Sequence, residues 1–322
     1  MTEEFLKRFI RVIVAYVATH NDADHVAAAP ELLDHFSTAA TLESIWILID
    51  RPARNAEQVD EDVIPLIGYS KRRAEEGSIG RRCALYVHDD IAGRAKLIHR
   101  EAKESAELQL LYPRLLDSTE AAVRGEPSAL ATNQVSAILR LVVGADKKRA
   151  AALITGDANC ESLRIAREVY KFDLSARTLS VPHHGGEVPR PGGAPDWDTV
   201  VGWVAPEIAV VSAGFGRVPQ TTVTRRRTFD PLRRPGVTTA CTQLTSNCHP
   251  HFKDFYPGIL PASRSPLPQM SGRPEFPDAV GCAGTITIRI STDGDVSMLG
   301  TVQHQQGVDQ KVVPGDGCPH CR

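Results

Sequence analysis

Six short apolar runs follow Pro127, and turn residues close each of them: "VSAILRLVVG" (135–144), "AAALITGD" (150–157), "ARTLSVP" (176–182), "EIAVVSAG" (207–214), "GVTTACT" (236–242) and "TITIRIS" (285–291). Runs this short cannot make long helices, and their β-branched content suits buried or half-buried strands. Turn residues bound them, as in "GADKK" (144–148) and "STDGD" (291–295). The second half of the chain is therefore predicted to be strand-rich.

The first half mixes both periods. Residues 12–18 read as a buried strand, 44–50 as a second strand, and 4–11 and 26–36 as helices. Residues 55–125 read as mostly helical, including "AGRAKLIHREAKESAEL" (92–108). Residues 257–280 are rich in Pro and Ser and predict a long surface loop. The sum is an α/β chain.

Three strand ends carry His or Asp. The first is "ATHNDADH" (18–25), where His20, Asp22, Asp24 and His25 place four metal-capable side chains in six positions. Neutral imidazole and carboxylate suit zinc or manganese. The competing reading is a polar turn whose Asp22 or Asp24 caps the next helix, but four such residues together favour metal. The second is "LITGDAN" (153–159), a strand ending in Gly156-Asp157, which alone would be an ordinary turn. The third is "LSVPHHGGE" (179–187), where His183 and His184 precede two glycines.

In that order and company, these motifs resemble the metallo-β-lactamase fold hydrolases, in particular the branch of the ComEC-type competence proteins. The matching elements are His20–His25 (an HxDxDH pattern), Asn133 and Ser136 leading to Thr155-Gly156-Asp157, Val181–Gly185, and Ser212-Ala213-Gly214. "LLYP" (110–113) matches a further feature. The resemblance spans about residues 10 to 215 and, more loosely, extends to 292.

The resemblance implies an αββα sandwich over a single domain, 1–322, with a helical insertion at 50–125 and C-terminal strands, loop and tail at 236–322. It implies a two-metal centre of zinc or manganese. His20 and Asp22 would hold one ion, Asp24 and His25 would help hold the other, Asp157 would bridge, and His183 or His184 would complete the second site. Two such ions would activate a hydroxide for attack on a phosphodiester, with Asp24 and His184 as catalytic groups. The substrate would be nucleic acid or a nucleotide. Alternatives are a small ester or lactam as substrate, or a catalytically impaired binding module.

Two departures accompany the match. Eighteen residues precede Thr19 and contain no Asp-x-Gly. The sheet is therefore expected to be N-terminally incomplete, through a late start, a partner chain supplying the leading strands, or degeneration. Val218-Pro219 also stands where a His-Pro pair would fall.

Cys241, Cys248, Cys318 and Cys321 form the simplest set for an additional structural zinc, with separate thiols as the alternative. Seven cysteines without a secretion signal do not make a disulfide framework. "RRR" (225–227) with Arg233 and Arg234 is the one dense basic patch near the motifs, suited to phosphate or simply solvated. A net charge of -2 gives no general attraction to nucleic acid or membrane. No apolar run reaches membrane-spanning length, and the expected location is cytoplasmic.

Overall fold

The computed structural model describes residues 12–37, 41–48, 63–84, 95–101, 105–114, 135–145, 148–186, 196–212, 226–232, 234–242 and 286–298. The described residues form a mixed α/β protein. The chain divides into two compact units, Met1–Leu141 with Thr155–Asp173, and Val142–Ile154 with Leu174–Arg322.

In the first unit, the apolar run at 12–18 becomes two short strands, β1 (Val12–Ile13) and β2 (Tyr16–Ala18). After them come two helices, α1 (Ala23–Val26) and α2 (Ala29–Ser37), and the strand β3 (Thr41–Ile47). Helix α3 (Ile64–Glu75) leads to β4 (Ile79–Ala84). β1 and β2 both pair in parallel with β3, in registers Val12↔Thr41 and Tyr16↔Ile45. β4 also pairs with β3 in parallel, with Trp46 opposite Cys83. Between β1 and β2 the Ser44 hydroxyl donates to the Val14 carbonyl at 2.7 Å, which bridges the break in that edge.

Parallel strands need apolar cover, and the sequence supplies it at helical spacing. α3 carries Pro65 in its first turn, where the missing N–H is harmless. It buries Leu66, Tyr69 and Ser70, at i, i+3 and i+4. Leu66 and Tyr69 join Val26, Leu33, Ile45, Ile47 and Ile79 in one core. Leu66 is fully buried, so Leu66→Ala is expected to lower unfolding stability by about 2–5 kcal/mol, read as a lower urea midpoint at unchanged slope.

The helix expected over 92–108 is not there. Lys96–Arg100 is strand β5 and Ala106–Tyr112 is strand β6, an antiparallel pair. Arg100 pairs with Glu107 across the strands at 2.8 Å. Ile98 is buried between neighbours that are not. Cross-strand pairing and burial override the helix propensity of Ala, Lys and Glu. Within 50–125, the helical reading holds for Ile64–Glu75 and fails at β4, β5 and β6. β7 (Ile138–Val143) then carries the chain toward the second unit. The first unit also includes α4 (Cys160–Arg164), capped by the Asn159 side chain, which accepts from the Ser162 N–H at 2.9 Å. A single π turn, Ile165–Val169, continues it.

In the second unit, β8 (Ala150–Ile154), β9 (Thr178–Ser180), β10 (Ile208–Val211) and β11 (Thr238–Cys241) pair in parallel in that order. Helix α5 (Trp197–Val204) connects β9 to β10, and its Asp196 cap accepts from the Thr199 N–H at 2.8 Å. The helix α6 (Arg226–Phe229) precedes β11. The last strands, β12 (Ile288–Ile290) and β13 (Val296–Met298), form a hairpin around the "STDGD" turn. No described helix is long and apolar enough to cross a membrane.

Candidate metal centre

The end of β2 delivers Thr19 and His20, and the chain then turns into α1. The Asp22 carbonyl accepts the His25 N–H at 2.9 Å and so starts that helical turn. The helix was expected to start at residue 26, yet Ala23–Val26 is already helical, which brings His25 back over His20. Their ring centroids are 3.9 Å apart. The Tyr16 hydroxyl donates to the His25 carbonyl at 3.3 Å, and burial pushes its phenol above the ordinary value, which keeps it a donor.

Asp157 reaches the same place from the end of β8. The turn closes with the Ala158 N–H on the Thr155 carbonyl at 3.0 Å, and Gly156 at its bend has a φ of 50°. The Asp157 N–H donates to the Ser136 hydroxyl at 2.9 Å, which holds the start of the side chain in place. Its Oδ1 lies 3.4 Å from His25 Nε2, and its Oδ2 lies 3.7 Å from His20 Nε2. Asp22 Oδ2 is 3.6 Å from His20 Nε2.

These distances decide what the cluster suits. They are longer than a charge-assisted bond from an imidazole N–H to a carboxylate, about 2.7–2.9 Å. Two ligand atoms about 2.1 Å from one zinc ion at tetrahedral angles lie about 3.4 Å apart. The ligand atoms of His20, His25 and Asp157 all fall within 4.8 Å of one another. His20 is 0% exposed, and its Nε2 has no hydrogen-bond partner among the described residues. The Asn21 Oδ1 beside it in sequence is also buried without a partner. Buried polar atoms are normally satisfied, so an orphaned imidazole nitrogen facing two carboxylates fits a cation. His20, His25 and Asp157 form a group able to hold a metal ion.

The other ring nitrogens are tied to hydroxyls. His20 Nδ1 is 3.2 Å from Thr19 Oγ1 and 3.3 Å from Ser136 Oγ. This role of Ser136 was invisible in the sequence, where it was only a motif position. Ser136→Ala should reduce metal affinity about 10–100-fold, as loss of groups orienting a ligand does. Chelator competition reads this, with far-UV circular dichroism unchanged.

The remaining expected residues fall elsewhere. The Asp24 backbone is in α1, and its side chain lies outside the described residues, as do Asn133, Val218 and Pro219. His183 and His184 belong to the second unit and form a 3-10 turn after β9. Both have left-handed backbones, with φ of 52° and 53°, a conformation that concentrates at functional sites. His184 Nδ1 donates to the Ser212 carbonyl at 2.8 Å, which puts the lone pair on Nε2. Cys241 lies in β11 with its side chain outside the described residues, together with all of Cys248, Cys318 and Cys321. Arg234, considered for phosphate, is instead paired with Asp198 at 2.6 Å.

No family model matches the sequence, and no curated protein matches it. Among solved structures, a mutant of CmlA beta-hydroxylase is similar with a TM-score of 0.34 and 14% identity, over 62% of this chain and 36% of that one. The chain thus spans about a third of that protein's length, and an overlap this shallow says nothing about activity.

Proposed function

We propose that the chain is a metal-dependent hydrolase of the metallo-β-lactamase kind, acting on a phosphodiester. The observation that carries the reading is the trio His20, His25 and Asp157, two of them buried and His25 half-buried, with ligand atoms within 4.8 Å and a His20 Nε2 that has no hydrogen-bond partner among the described residues. Asp157 turns one oxygen toward each histidine, so it can serve two ions as readily as one. Divalent cations bound there would supply Lewis acidity toward water and toward the charged oxygens of a diester.

The chain's own residues prepare the site. Thr19 and Ser136 hold the His20 ring by Nδ1, and Ser136 also anchors the Asp157 backbone. His20 and Asp157 are shielded from solvent, whereas the Asp22 side chain is 35% exposed, so the cluster meets water on the Asp22 side. In this reading, as the sequence resemblance implies, Asp24 would orient the attacking hydroxide and His184 would donate a proton to the leaving oxygen. Manganese-supplemented assays on a generic diester and on single-stranded DNA test the proposal, with Asp157→Ala, Asp24→Asn and His184→Gln alongside. Turnover that needs metal and vanishes in Asp157→Ala supports it. Metal uptake with no turnover on any diester would overturn the substrate assignment.

A further inference from the structure

We propose that the Thr19 hydroxyl is a shared positioning group that sets both imidazoles of the cluster for metal binding. The inference rests on the metal-site reading above. Thr19 Oγ1 lies 3.2 Å from His20 Nδ1 and 3.5 Å from His25 Nδ1. One hydroxyl therefore touches the same nitrogen of both rings.

A threonine hydroxyl has one proton and two acceptor lone pairs. It cannot donate to both Nδ1 atoms at once, so at least one imidazole must donate its Nδ1–H to it. Saturating the oxygen with both Nδ1–H groups uses its two lone pairs. Each Nε2 then carries the lone pair that a cation requires. Those are the two nitrogens that face Asp157, at 3.7 and 3.4 Å. Ligating histidines elsewhere have their other N–H held by carboxylate, carbonyl or water; here a single side chain does this for two of them.

The backbone makes Thr19 a rigid support. Its carbonyl accepts the Ala137 N–H at 2.8 Å, which ties the end of β2 to the segment carrying Ser136. Thr19 and Ser136 hydroxyls thus form one layer behind the rings. Thr19 serves both histidines, and Ser136 serves His20 and Asp157.

The test uses the full chain, zinc alone as the probe, and two substitutions that separate shape from hydrogen bonding. Thr19→Val keeps the branched shape and removes the hydroxyl; Thr19→Ser keeps the hydroxyl. Zinc affinity, measured by competition with a chromophoric chelator, should fall about 10–100-fold in Thr19→Val and recover in Thr19→Ser. In the zinc-loaded wild type, two histidine Nδ1–H protons should be slow to exchange by NMR of selectively labelled protein, and both should shift in Thr19→Val. Wild-type zinc binding that Thr19→Val leaves unchanged would overturn the role of Thr19 while keeping the metal site. Equal losses in Val and Ser variants, or no protected Nδ1–H in the loaded wild type, would also overturn it. A wild type that takes up no zinc would remove the metal-site reading itself.

Discussion

Asp157→Ala is expected to abolish tight metal uptake. Asp157 faces both histidines, through different oxygens. Its loss should reduce affinity by more than the about 10–100-fold typical of groups that merely orient a ligand. The same loss should be visible in stability. A metal at about 1,000 times its dissociation constant stabilises the folded chain by about 4.1 kcal/mol. Thermal unfolding with and without added zinc should show that increment in the wild type and none in Asp157→Ala. Equal increments in both would place the metal elsewhere.

Gly156→Ala should be nearly as damaging, by a different route. Gly156 has a φ of 50°, and a Cβ there would sit 2.4 Å from Ser136 Oγ and 2.9 Å from Thr19 Oγ1. The left-handed backbone costs a residue with a Cβ about 1–2 kcal/mol, and overpacking adds about 1–3 kcal/mol. Destabilisation by about 2–5 kcal/mol follows from the two together, measured by urea unfolding. Relief of the clash must move the two hydroxyls that support His20 and Asp157, so metal affinity should fall as well. Gly77→Ala is the control, since Gly77 also has a positive φ, of 68°, but nothing lies within 4 Å of its Cβ position. It should show the backbone penalty alone and leave metal affinity intact.

Several parts of this picture were legible in the residues. The apolar run before Gly156-Asp157 marked a strand end, and β8 ends there. Residue types at His20–His25 offered metal ligands, and His20 and His25 lie with Asp157 in a group that could hold an ion. Other readings failed for identifiable reasons. Residues 92–108 have helical composition, but their stability comes from pairing β5 with β6, and composition carries no information about a pairing partner. The helix after the cluster was read as starting at residue 26, whereas Ala23–Val26 already closes a helical turn on the Asp22 carbonyl.

The sequence by itself determined the chemistry on offer: imidazoles and carboxylates at strand ends, in a chain able to bury a core. Chemical identity is local, and strand ends are set by short-range apolar patterning and turn residues. Only the tertiary structure decided which of those side chains share a space. Ser136 meets a ring 116 residues away, and its hydroxyl also holds the Asp157 backbone. Those contacts depend on how strands distant in the chain are brought side by side. Distances of a few ångströms between such strands are fixed by packing and pairing, which no local pattern encodes. That is why candidate ligands could be named from the residues, while the hydroxyls beside them could not.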